Sequence, residues 1–95
     1  MYYEWDARKD SENYRKHGIS LADGVAALED SEAVSWIDSR YDYGEERIIT
    51  LGVGIQGILY VVTTEIAEDE TRIISVRQAE TYEKERYRQG RPQTW

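Results

Sequence analysis

Between Arg47 and Ala79 the chain reads as three apolar runs with almost nothing between them: "RIITLGV", "ILYVVTTEI" and "TRIISVRQA". All three are rich in β-branched residues, which suit a pleated, half-buried surface. The separators are only "GIQG" and "AEDE". Turns this short join antiparallel neighbours, whereas a parallel return needs a crossover of a dozen or more residues. The stretch therefore predicts an antiparallel meander, and everything else must pack around it.

The flanks supply the helices. "YYEW" suits a brief edge strand, and Asp6 offers an N-cap to a helix from Ala7 to about Lys16. Gly18 fits the left-handed position just past the helix end, with Ile19 and Tyr14 placed for the accompanying hydrophobic contact. Arg15, Lys16 and His17 crowd the negative end of the helix dipole. Ser20 opens a second helix with Asp23 as a weak capping partner. Leu21, Val25 and Leu28 form its apolar stripe, and Glu29–Ser31 ends it. Val34–Ile37 reads as a further strand, followed by the turn-rich acidic loop "SRYDYGEE". From Ala79 to about Arg88 the pattern is helical, with Glu80–Lys84 and Glu83–Tyr87 one turn apart. Gly90 and Pro92 stop that helix. The prediction is one α+β domain over residues 1–95, with 89–95 as a loose tail. Its sheet is an antiparallel meander of three to four strands. Two N-terminal helices and one C-terminal helix pack on one face.

Composition removes several chemistries. The chain has no cysteine, so disulfides, thiolate catalysis and cysteine-based zinc sites are excluded. No apolar run approaches the roughly 18 residues of a membrane span. The opening "MYYEWDARKD" is not a leader pattern, and the expected location is cytoplasmic. "GVGIQG" spells the dinucleotide pattern, but the fingerprint must open a helix and here a strand follows. No cofactor and no metal are expected. One histidine and scattered carboxylates give no ligand spacing, and "DSRYDYGEE" reads as a solvated loop rather than a calcium site. The net charge is −7, and residues 20–46 supply the whole excess with eight acidic side chains against Arg40 alone. Such a balance opposes non-specific binding to nucleic acid, yet leaves room for a local basic site.

Two sets of residues could carry chemistry. Arg47 opens the first long strand and Arg72 and Arg77 lie on the last. Arginines at strand ends can converge on a phosphate, or simply pair with the abundant carboxylates. Strict alternation puts Ile73, Ser75 and Arg77 on one face and Arg72, Ile74 and Val76 on the other. His17 has the pKa range for proton transfer near neutrality, but a histidine there can equally cap the helix. The eight tyrosines, against no phenylalanine, offer stacking surface or proton donors among core and rim positions.

Three segments taken together resemble a known family. "EWDARKDSENYRKHGIS" carries Trp5, Asp6, Lys9, Asn13 and the unit Lys16-His17-Gly18-Ile19. "DYGEERIITLG" carries Gly44, Glu45, Glu46 and Arg47. "RIISVRQAETYEKERY" runs from Arg72 through Ala79, with Val76 where the pattern has alanine, to Glu83 and Tyr87. This resembles the BrnT-type toxins of bacterial type II toxin–antitoxin systems over nearly all of residues 3–88. The resemblance implies a RelE-like fold, RNA cleavage that arrests translation, and neutralisation by a BrnA-type antitoxin with a ribbon-helix-helix part. DNA would be bound only through that antitoxin.

On this basis the leading expectation is a metal-independent endoribonuclease in which a 2′-hydroxyl attacks the adjacent phosphorus. His17 is the candidate acid or base, and Arg47, Arg72 and Arg77 are candidates for the phosphate. Lys9 and Lys16 would hold the RNA backbone. Glu83 and Tyr87 would transfer a proton or orient an arginine. The last helix departs from the family's basic character, with three glutamates in "AETYEKERY". That departure motivates a second reading, a non-catalytic protein-binding module of the same fold that pairs with an antitoxin-like partner.

Overall fold

The computed structural model describes residues 1–40, 42 and 44–90. Its elements are β1 (Tyr2–Glu4), α1 (Ala7–His17), a 3-10 turn (Leu21–Asp23), α2 (Gly24–Leu28), β2 (Val34–Ile37), β3 (Ile48–Gly54), β4 (Gly57–Ala67), β5 (Glu70–Gln78) and α3 (Thr81–Gly90). The expected meander is there as β3-β4-β5, and β2 extends it antiparallel to β3. The sheet nevertheless has five strands in the order β1-β5-β4-β3-β2. β1 pairs parallel to β5, with Tyr2 opposite Glu70 and Glu4 opposite Arg72. A mixed sheet thus replaces the purely antiparallel one. The reason is topological: α1 follows β1 directly and runs along β5, so no hairpin forces β1 to turn back.

Local signals act as written. Asp6 Oδ1 accepts from the backbone N–H groups of Arg8 at 2.8 Å and Lys9 at 3.1 Å, satisfying two orphan donors of α1. Gly18 takes φ +71° and donates its N–H to the Tyr14 carbonyl at 2.7 Å, closing the helix. Ile19 then turns into the core at 1% exposure, while Tyr14 stays outside at 63%. The second helix is shorter than its stripe suggested. The Ser20 hydroxyl bonds the Asp23 carboxylate instead of a backbone N–H, and a 3-10 turn precedes the five residues of α2. "GIQG" is a hairpin in which Gly54 pairs with Gly57, so β4 and not a helix follows it.

The two faces of the sheet carry separate cores. On the first, Ile19, Leu21 and Ala27 pack onto Leu59, Val61, Ile73 and Val76. Each such fully buried aliphatic side chain contributes about 1.5–3 kcal/mol relative to exposure. α2 lies so close that a Cβ on Gly52 would sit 2.0 Å from the Ala27 carbonyl oxygen. On the second face, Ile49, Leu51 and Tyr60 pack with Ala79 and Tyr87. α3 therefore covers the face opposite α2, and the expectation of helices on one face fails. The seven-residue β3 and longer β4 leave apolar residues on both sides, and a single helical layer would leave one side wet. α3 also continues through Gly90 rather than ending at Arg88; residues 91–95, most of the expected tail, lie outside the described ones.

One irregularity rearranges the candidate site. Val62 pairs with Ser75 but Thr63 pairs with Ile73, so Ile74 is an extra residue in β5. A bulge of this kind breaks the two-residue period. Ile73 and Val76 thereby reach the same core. Arg72 stands opposite Thr64 and Arg77 opposite Tyr60, two positions of like parity on β4. The arginines share a face, contrary to strict alternation.

Candidate functional site

α1 lies along the outer edge of β5, and Asn13 fixes it there. β1 is only three residues long and covers β5 from Glu70 to Arg72. Beyond it the edge would be open. Asn13 fills the gap: its Oδ1 accepts from Val76 N at 3.1 Å and its Nδ2 donates to Val76 O at 2.8 Å. The same Nδ2 donates to Ile19 O at 2.8 Å. A buried side-chain amide thus pairs with the strand as a peptide unit would.

Between this helix and the strand run two adjoining hollows of about 360 and 210 Å³ that share Lys9 and Ile74. Arg72 lines the first, and Lys16, His17 and Ser75 line the second. Four of the residues singled out in the sequence thus lie along one trough. His17 ends α1 beside Arg15 and Lys16 in the last turn, and is exposed. Partial desolvation, then the charges of Lys16 and Arg77, push its pKa below the 6.5 of free imidazole. Its neutral form therefore predominates at pH 7, as a general base requires.

Arg77 lies near enough to His17 for its charge to act there, and it is held from several sides. Its guanidinium donates to both Glu83 carboxylate oxygens at 2.8 Å and to the Gln78 carbonyl at 3.1 Å. It also lies over the Tyr60 ring, 3.8 Å from the centroid. Glu83 is only 4% exposed, and its Oε1 also accepts the Glu80 N–H at 2.8 Å. That second bond is half of a capping box at the start of α3. Burial alone would raise the Glu83 pKa, but Arg77 and the Glu80 N–H outweigh it and hold the carboxylate ionised. Glu83 is thus placed to orient Arg77.

The remaining candidates do not line the trough, although Arg47 shares the second face with Arg72 and Arg77. Tyr87 is buried beneath α3, with its hydroxyl donating to Asp30 Oδ2 at 2.6 Å. Arg47 precedes β3 in the parity of Ile49 and Leu51, which places it on the second face, and its Nε is 3.4 Å from the Glu45 carboxylate. Glu45 is near enough to act on Arg72 as well, and Arg72 is paired with Glu4. Sequence reasoning overlooked a second cluster. Arg86 sits over the Trp36 ring, 3.7 Å from the centroid, and Arg40 reaches the Tyr60 hydroxyl. A faint signal existed: Tyr82 and Arg86 are one helical turn apart, and Arg40 is the lone cation of the acidic segment. No group of three or more histidine, aspartate or glutamate side chains is placed to hold a metal among the described residues. No described helix is long and apolar enough to cross a membrane.

The family model described as the ribonuclease toxin BrnT of type II toxin–antitoxin systems matches residues 5–83. The chain belongs to the BrnT family. Members of that family are ribonuclease toxins of type II toxin–antitoxin systems. The fold agrees. The crystal structure of the Brucella abortus ribonuclease toxin BrnT superposes with a TM-score of 0.61 at 21% identity, covering 85% of this chain and all of that one. A search of curated proteins finds no match. The matched span runs from Trp5 to Glu83 and so contains Lys9, Lys16, His17 and Arg72 of the trough together with Arg77 and the carboxylate that holds it.

Proposed function

We propose that this BrnT-family chain cleaves RNA in the trough between α1 and β5. The carrying observation is the gathering of Lys9, Lys16, His17 and Arg72 along one groove of an otherwise acidic protein, with Arg77 near His17. Lys9, Lys16 and Arg72 would bind the backbone phosphates. His17, neutral at pH 7, would accept the proton of a 2′-hydroxyl as that oxygen attacks the adjacent phosphorus. The P–O5′ bond then breaks, leaving a 2′,3′-cyclic phosphate, and the departing oxygen takes its proton from water. Arg77, oriented by Glu83, would meet the charge that builds on the phosphoryl oxygens. No metal is needed in this scheme, and the place of action would be the cytoplasm, with arrest of translation as the outcome. The acidic segment 20–46 would dock a basic antitoxin of BrnA type, through which alone DNA is contacted.

A second reading has its own support. Arg47, Arg72 and Arg77 each face a carboxylate, from Glu45, Glu4 and Glu83. A module that binds its antitoxin without cleaving would look the same. The two readings separate when purified protein is incubated with RNA in chelator. Cleavage by the native chain, with a loss of roughly 100-fold or more in His17→Ala at unchanged fold, is expected from the usual worth of a general base. Equal cleavage by His17→Ala would remove the base from the scheme, and no cleavage by the native chain would favour the module. Arg77→Ala is a poor probe, because it strands the buried Glu83 carboxylate at a cost of about 3–5 kcal/mol. Arg77→Lys keeps the charge and loses the fork, and should lower cleavage while antitoxin binding persists.

A further inference from the structure

A second cleft lies on the other side of Arg77. It has a volume of about 250 Å³ and opens between the start of α3 and the chain leaving β2. Its floor is Trp36, Ile49 and Tyr60; one wall is Tyr82 and Arg86, the other is Asp38 and Arg40. The volume is below the range of pockets that take drug-sized ligands, and suits a single flat group.

The chemistry of the walls is specific. Tyr82 is 67% exposed at the rim, one turn before Arg86 on the same helical face. Arg86 is already ordered over the Trp36 ring, so its outer surface is a fixed cationic plane. Arg40 is held by the buried Asp38 carboxylate, with Nε at 2.9 Å from Oδ1 and Nη2 at 3.1 Å from Oδ2. Aromatic faces and guanidinium planes are the surfaces on which unpaired bases stack.

Position joins the cleft to the trough. Arg77 covers the Tyr60 ring, Tyr60 and Glu83 line the cleft, and the Arg77 charge is felt by His17. We propose that this cleft seats one base of single-stranded RNA, the base adjoining the phosphate held at Arg77 and His17. The inference rests on the RNA-cleaving reading and assigns the part of the site that grips a base rather than the backbone.

The test uses the full chain and short single-stranded oligonucleotides with a 2′-O-methyl group at every sugar, so that none is cleaved. One strand is intact, and each of the others is abasic at one position. At one position, loss of the base is expected to weaken binding about tenfold. The pair Tyr82→Ala and Arg86→Gln, both at exposed positions, should erase that difference by weakening the intact strand far more than the abasic one. Trp36→Phe keeps the floor filled and should reduce the difference only in part. The proposal is overturned if every abasic strand binds as tightly as the intact one. It is equally overturned if Tyr82→Ala and Arg86→Gln weaken all strands by one factor, or if no strand binds. Base-dependent binding in a chain that fails to cleave the unmodified oligonucleotide would sink the ribonuclease reading and keep the cleft.

Discussion

His17 holds two positions at once. Its backbone belongs to the last turn of α1, where Gly18 closes the helix, and its ring opens into the trough. The cap was legible because it is written in neighbouring residues. The electrostatics were not, since part of the shift comes from Arg77, a residue far along the chain that the fold brings near. Neutral imidazole is the active form of a base, so cleavage should rise with pH to a plateau, with the midpoint of the rise below the 6.5 of free imidazole. Lys16→Gln removes one of the two charges that disfavour the imidazolium. The acid limb of the rate profile should therefore move to higher pH in that variant, read from cleavage rates across pH 4.5 to 8. An unmoved limb would show that His17 is not the group being titrated. Glu83 teaches a similar lesson. By sequence it was a candidate either for proton transfer or for orienting an arginine; buried and paired twice over, it is ionised and braces Arg77 and α3.

Elements were easier to read than the way they meet. The central strands announced themselves through composition and short turns, and α1 through its caps. What joins α1 to the sheet is Asn13, which the residue pattern singled out only as part of the family resemblance. Asn13→Ala would leave the buried Val76 N–H and carbonyl, and the Ile19 carbonyl, without their partner. The expected cost is about 2–4 kcal/mol, which for a domain of this size lowers the melting temperature by at least about 8 °C. Asn13→Asp keeps the acceptor for Val76 N–H but loses both donated bonds, and should not rescue the melt. A thermal midpoint within about 2 °C of the native chain would show that the amide is replaceable by water at this edge. The bulge at Ile74 is a second junction that local periodicity cannot reveal. It is set by how β5 fits against β4, and it alone turns Arg72 and Arg77 to a common face.

For the molecule as a whole, charge is the governing quantity. A chain at −7 repels nucleic acid on average, so any RNA affinity must come from a local field. Four cations, Lys9, Lys16, Arg72 and Arg77, line the trough or lie near it. If each displaces a counterion from single-stranded RNA, log K should fall with log salt with a slope of about −3. Filter binding of an uncleavable strand between low and physiological salt measures it. A slope shallower than about −1 would deny the trough its role. The residues by themselves determined the central strands, the caps of α1, the absence of thiol chemistry and, through three ordered motifs, the family. These are properties of short windows, where propensity, capping and turn chemistry act within a few residues. The tertiary structure decided that β1 joins in parallel, that α3 covers the second face, and that a bulge aligns the arginines. Each of these depends on contacts between segments distant along the chain, whose packing no local pattern contains.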